Sequence, residues 1–128
     1  MLEKSHAYSG FAVRDLAAAK DFYTQLLGLS VDQTPMGLTL HLAGGLDVFV
    51  YQKPDHQPAT YTILNFPVED VEATVDYLAN KGVVFEHYDG MPSAQDEKGI
   101  LRGKAAGMGP DIAWFKDLDA NIFSIHSL

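Results

Sequence analysis

Cysteine is absent from the 128-residue chain, which excludes disulfide staples, thiolate catalysis and sulfur-ligated metal. Tryptophan occurs once. No stretch approaches the ~18–20 consecutive apolar residues that would span a bilayer, so no membrane partner is expected. Basic residues are scarce, with 9 Lys and Arg against 17 Asp and Glu and a formal charge of −8. Because nucleic-acid affinity comes largely from Lys and Arg displacing counterions, no nucleic-acid partner is expected either. An acidic surface aids solubility and would favour a cationic ligand by raising its local concentration. The opening MLEKSHAYSG places acid, base and histidine ahead of any apolar stretch, so neither a secretory nor a transit segment is expected, and the location expected is cytoplasmic.

What is present is an ordinary globular balance, 47% apolar and 20% charged residues, in a length that suits a single domain. The main pattern is an internal repeat. FAVRDLAAAKDF, starting at Phe11, aligns with FPVEDVEATVDY, starting at Phe66. Phe11 falls on Phe66, Val13 on Val68, Asp15 on Asp70, Leu16 on Val71 and Asp21 on Asp76, and Gly28 answers Gly82 after a slip of one residue. Each copy runs from period-two alternation through an aspartate into helical periodicity and ends at glycine, which is the order strand, N-cap, helix, C′. Leu16, Ala19, Phe22 or Tyr23, and Leu26 can face a sheet in the first copy, as can Val71, Val75 and Leu78 in the second.

After each helix the pattern becomes strand-like: LSVDQTP, GLTLHLA and LDVFVYQK, then VVFEHYD, DIAWFKD and NIFSIHS. Gly44-Gly45 supplies a hairpin turn, and Asp117 to Asn121 a second turn in which Asn121 is the residue expected to adopt positive φ. The fold class expected is α+β, two βαβββ modules at about 4–53 and 60–128, joined by a short Pro-flanked polar linker at 54–59 in which His56 is solvated. The stretch Met91 to Pro110 reads as a glycine-bearing structureless loop with a pocket-covering role.

These residues resemble the vicinal oxygen chelate superfamily, which includes glyoxalase I, bleomycin resistance proteins and extradiol dioxygenases. The resemblance rests on FAVRDLAAAKDFYTQLLGL, its weaker second copy, and the closing AWFKDLDANIFSI, where Leu118 and Ala120 stand in place of the frequent proline and glycine. It implies one glyoxalase-like domain over 1–128, with both modules in a U-shaped mixed sheet, helices on the outer face and a ligand on the inner one. It also implies that modules pair within one chain or between chains, and a homodimer is expected.

Carried over by distance from Asp15 and Asp70, the family's metal-ligand positions fall on Tyr8, Val48, Ile63 and Ser124. Metal-dependent members need carboxylate or imidazole there, and valine and isoleucine offer no lone pair. No metal site is therefore assigned and no cofactor expected. A slip of one at Val48 would present Asp47 instead. The 5 histidines lack the i, i+4 grouping of a metal helix, and a divalent metal would require a displaced site using His6, His41 and His126.

Strand parity nominates Val48, Val50, Ile63, Asn65, Ser124 and His126 as the lining of a ligand pocket, to which Tyr8, His41 and Trp114 are added as candidates, although parity leaves open whether Trp114 or its neighbour Phe115 faces the pocket. No catalytic residue is assigned, since no nucleophile elbow, Ser-His-acid spacing or phosphate loop is present. The function expected is metal-free binding of a small organic ligand, by sequestration or sensing. The alternatives are a metal-dependent lyase or dioxygenase with a displaced metal, and a metal-free lyase or isomerase using His126, His41 or Tyr8 as acid or base.

Overall fold

The computed structural model describes residues 1–91 and 94–128. They divide into two compact units, Met1–Gln57 and Pro58–Leu128, and the boundary falls inside the expected linker. The first unit opens with a single helical turn, Leu2–Lys4, followed by β1 (Ser9–Val13), α1 (Leu16–Asp21), β2 (Ser30–Thr34), β3 (Gly37–His41) and β4 (Asp47–Gln52). The second holds β5 (Thr62–Val68), α2 (Val71–Asn80), β6 (Leu101–Arg102), α3 (Gly103–Ala106), β7 (Asp111–Lys116) and β8 (Ile122–Ser127).

The duplication is visible in the strand order. The first sheet runs β1-β4-β3-β2 and the second β5-β8-β7-β6, the same order under the repeat. In each, the first strand pairs in parallel with the last and the remaining pairs are antiparallel. Both units are thus four-stranded mixed sheets with helices, an α+β architecture.

The aspartates that mark the repeat are the caps. Asp15 accepts the Ala18 amide at 3.1 Å and Asp70 the Ala73 amide at 2.9 Å, each satisfying one of the orphan donors of a first helical turn. The helix ends differ. In the first unit, α1 passes directly into a π-helical turn, Phe22–Leu26, which lets both neighbours Phe22 and Tyr23 be buried. In the second, α2 closes with Gly82 N–H on the Ala79 carbonyl and Val83 N–H on the Leu78 carbonyl, both at 3.0 Å. That is the Schellman pairing, and Val83 and Leu78 are both buried. Gly28 and Gly82 adopt φ of 70° and 103°, as left-handed helix ends require.

Each core lies between one sheet face and its helix. Leu38, Leu40, Val48 and Val50 are buried in the first unit, on the same face as Phe11, whose ring meets Tyr23 edge-on at 6.2 Å. In the second, Phe66, Phe115, Phe123 and Phe85 form an edge-to-face chain, of which Phe115, Phe123 and Phe85 are buried with Val71, Val75 and Leu78 of α2.

Several expectations are corrected. VVFEHYD is not a strand: Phe85 makes an isolated bridge to Phe115, and Val84 is exposed. The strand pairing with the other end of β7 is Leu101–Arg102. The stretch Met91–Pro110 is not structureless, because it contains β6, α3 and the fully buried Ile100; Pro92 and Ser93 within it lie outside the described residues. Gly103 is required there, since a Cβ would stand 2.2 Å from the Pro110 carbonyl oxygen. His56 is buried rather than solvated, and its carbonyl accepts Arg14 Nη2 at 2.5 Å. In the last turn the positive φ falls on Ala120, at 66°. Asn121 is instead buried, its Nδ2 donating to Asp117 Oδ2 at 2.9 Å.

Candidate functional site

Side chains alternate across a strand, so the buried sets above fix which residues occupy the face opposite each helix. In the first unit these are Thr39, His41, Asp47, Phe49 and Tyr51. Phe49 and Tyr51 stack at 6.1 Å with an interplanar angle of 15°. Of the candidates here, His41 lies on this face, while Tyr8 precedes β1 and is exposed. Val48 and Val50 lie on the other, packed in register against Leu40 and Leu38 under the helix. Asp47, the residue before Val48, takes the position opposite the helix.

Asp47 does not stand alone. His41 Nδ1 lies 2.9 Å from Asp47 Oδ1, and its Nε2 lies 2.8 Å from Asp32 Oδ2. Carboxylates only accept hydrogen bonds, so both ring nitrogens are best used as donors and the imidazolium is favoured. The His41 pKa is accordingly raised, first by Asp32 and then by Asp47. A ring whose two nitrogens point at two different carboxylates has none left for a metal. Among the described residues no group of three or more His, Cys, Asp or Glu is arranged to hold a metal ion. His6 is exposed ahead of β1. The donor set does not fit a metal centre of the family's kind.

The second unit gathers more of the candidates. Asn65, Ser124 and Trp114 are register partners across β5, β8 and β7, opposite the phenylalanine chain. His126 occupies the next row of the same face, beside Ile112. Ser124, fully buried, donates its hydroxyl to Asn65 Oδ1 at 2.5 Å. This bond uses the amide oxygen and leaves the amide NH2 unclaimed among the described residues. His126 Nδ1 lies 2.9 Å from the Ser127 carbonyl, which can only accept, so Nδ1 donates and in the imidazole form the lone pair falls on Nε2. Ile63 lies at a β-bulge between Thr62 and Leu64, where alternation breaks and parity does not assign it a face.

One residue of this site was not nominated by sequence. Tyr88 stands edge-on to Trp114, with ring centroids 5.7 Å apart, and borders an open cavity of about 580 Å³ together with Asp89, Met91 and Gln95. Its backbone amide donates to Gln95 Oε1 at 2.7 Å, and Gln95 Nε2 is anchored on the Glu86 and Gly99 carbonyls. The Tyr88 hydroxyl is buried without a hydrogen-bond partner among the described residues. Burial raises its pKa and Glu86 adds to the rise, while Lys116 opposes it. Glu86 and Lys116 pair with each other at 3.1 Å. A tyrosine in a stretch read as a regular strand gave no signal of this placement.

Comparison with known proteins agrees with the repeat. The family model for the Glyoxalase/Bleomycin resistance protein/Dioxygenase superfamily matches residues 6–90. The fold is similar to that of the genomically encoded fosfomycin resistance protein FosX from Listeria monocytogenes, at 16% identity and a TM-score of 0.69 over 98% of this chain and 93% of that one. It is also similar to TnmS3, an antibiotic binding protein from Streptomyces sp. CB03234, at 20% identity and a TM-score of 0.63 over 97% of each chain. A glyoxalase/dioxygenase from Nostoc punctiforme gives 16% identity and a TM-score of 0.67 over 98% of this chain and 91% of that one. No curated protein sequence matches.

Proposed function

Because the chain belongs to the glyoxalase/bleomycin resistance protein/dioxygenase superfamily, we propose that it binds a small organic molecule on the helix-opposed face of its second sheet, without metal and without transforming it. The observation that carries this reading is the row Asn65, Ser124, Trp114, which sets an indole and a half-satisfied amide on one face on either side of a serine. Small-molecule sites combine an apolar surface with a few placed polar groups, and this row has that composition. Ile112 extends the apolar part and His126 adds an acceptor at Nε2. The fold relative TnmS3, an antibiotic binding protein, supports binding as the role, whether by sequestration or sensing.

Metal-dependent lyase or dioxygenase chemistry would need a displaced site, and the donors around His41 and His126 do not supply one. A metal-free lyase or isomerase is favoured by one feature, the fixed tautomer of His126, which presents Nε2 as a general base. Thermal melting in the presence of chelator, then of added nickel, zinc, iron or manganese, tests the metal-free part. A ligand bound only to the folded state raises its stability by mass action. The proposal expects no shift in any arm. A saturable metal-dependent rise abolished by His6→Ala or His126→Ala would make a metalloenzyme the better reading.

A further inference from the structure

A buried hydroxyl with no partner is uncommon, because desolvating it without a compensating hydrogen bond is unfavourable. Tyr88 carries a buried hydroxyl with no partner among the described residues, and its surroundings hold it in place. The ring is braced against Trp114, and the backbone beneath it is clamped by Gln95, itself fixed through both ends of its amide. A tyrosine ring turns about only two side-chain bonds, so a ring braced in this way cannot readily carry its hydroxyl out to water.

The polarity of the neighbouring groups narrows what would satisfy it. Asn65 has spent its acceptor on Ser124 and presents NH2. Tyr88 remains protonated at neutral pH, since burial raises its pKa, so it presents O–H. The nearest charges, Glu86 and Lys116, neutralise each other. The Tyr88 donor stands edge-on to the indole, and the Asn65 donor lies in the same row across Ser124. We infer that the Tyr88 hydroxyl is a ligand-recognition donor, and that the molecule bound against Trp114 is planar with an acceptor oxygen such as a carbonyl. This inference rests on the binding reading above.

The matched pair 1-indanone and indane, which differ only in the carbonyl, tests it. The chain's single tryptophan is Trp114, so its indole N–H resonance reports binding at this face alone. In the wild type the ketone should bind about threefold to tenfold more tightly than the hydrocarbon, the range of one neutral hydrogen bond. Tyr88→Phe should erase that preference while leaving the melting temperature of the ligand-free protein unchanged or raised, because it removes an unsatisfied buried group. A preference that survives Tyr88→Phe overturns the inference, as does a melting temperature several degrees lower, which would give the hydroxyl a structural partner. Equal binding of both compounds to the wild type overturns the inference and leaves the binding site standing. If neither compound moves the Trp114 resonance, both the site and the inference fail.

Discussion

His41 joins three strands through two carboxylates, Asp32 on β2 and Asp47 on β4, and its raised pKa makes that link depend on pH. The folded state holds the proton more tightly than the unfolded chain, whose imidazole titrates near the ordinary value of 6.5. The stabilisation is therefore complete below that value and is lost as pH rises through the folded-state pKa. Urea midpoints of wild type and His41→Asn should differ most below the ordinary imidazole value of 6.5 and converge as pH rises above it. A gap that widens with pH would mean that His41 is not the imidazolium. Ala120 offers a second test, because a non-glycine residue at φ 66° is strained by contact of its Cβ with the backbone. Ala120→Gly should raise stability by about 0.5–1 kcal/mol, read as a higher melting temperature. The residue scale is also where sequence reading was weakest. Asn121 was the natural choice for positive φ, but its side chain is committed to Asp117, a contact that turn propensity does not contain.

Helix ends were legible because they obey local rules. Asp15 and Asp70 cap, and Gly28 and Gly82 terminate, all within a few residues of the chain they serve. Gly82→Val should cost about 1 kcal/mol or more, since a β-branched side chain is forced into the left-handed region at the Schellman end of α2. Asp70→Ala should cost about 1 kcal/mol through the lost cap. Both are measured by denaturant melts, and unchanged midpoints would show that the repeat does not mark the helix ends. Strands were less legible. The stretch from Val83 to Asp89 alternates well enough to read as one, yet the far end of β7 pairs with Leu101–Arg102 instead. Which segment wins an edge depends on long-range competition. Here Arg102 is held by Asp96 at 2.9 Å and by Glu72 at 2.7 Å, so one of the ion pairs that dock β6 comes from α2, distant in sequence. The same limit applies to Val48 and Val50. Alternation showed that they share a face, but the helix packing against Leu38 and Leu40 decided which face it was.

At the scale of the molecule, the repeat, the strand order and the family all agree, and Asn65, Trp114, Ser124 and His126 of the second module lie on one face. Tyr88 completes that set only through the folded path of residues 83–88, so no local pattern could nominate it. Because β1 and β2 end one sheet while β5 and β6 end the other, and unpaired strand edges favour association, we propose that the protein is a homodimer. Light scattering should give twice the 14.0 kDa chain mass, and a monomer at micromolar concentration would reject this. Native mass spectrometry of the freshly purified protein addresses function. The binding account predicts that wild type takes up a small organic compound, released chemically unchanged on denaturation, that Trp114→Ala does not retain it, and that neither carries an equivalent of metal. A stoichiometric metal adduct on the wild type, or a compound held equally by Trp114→Ala, would contradict it.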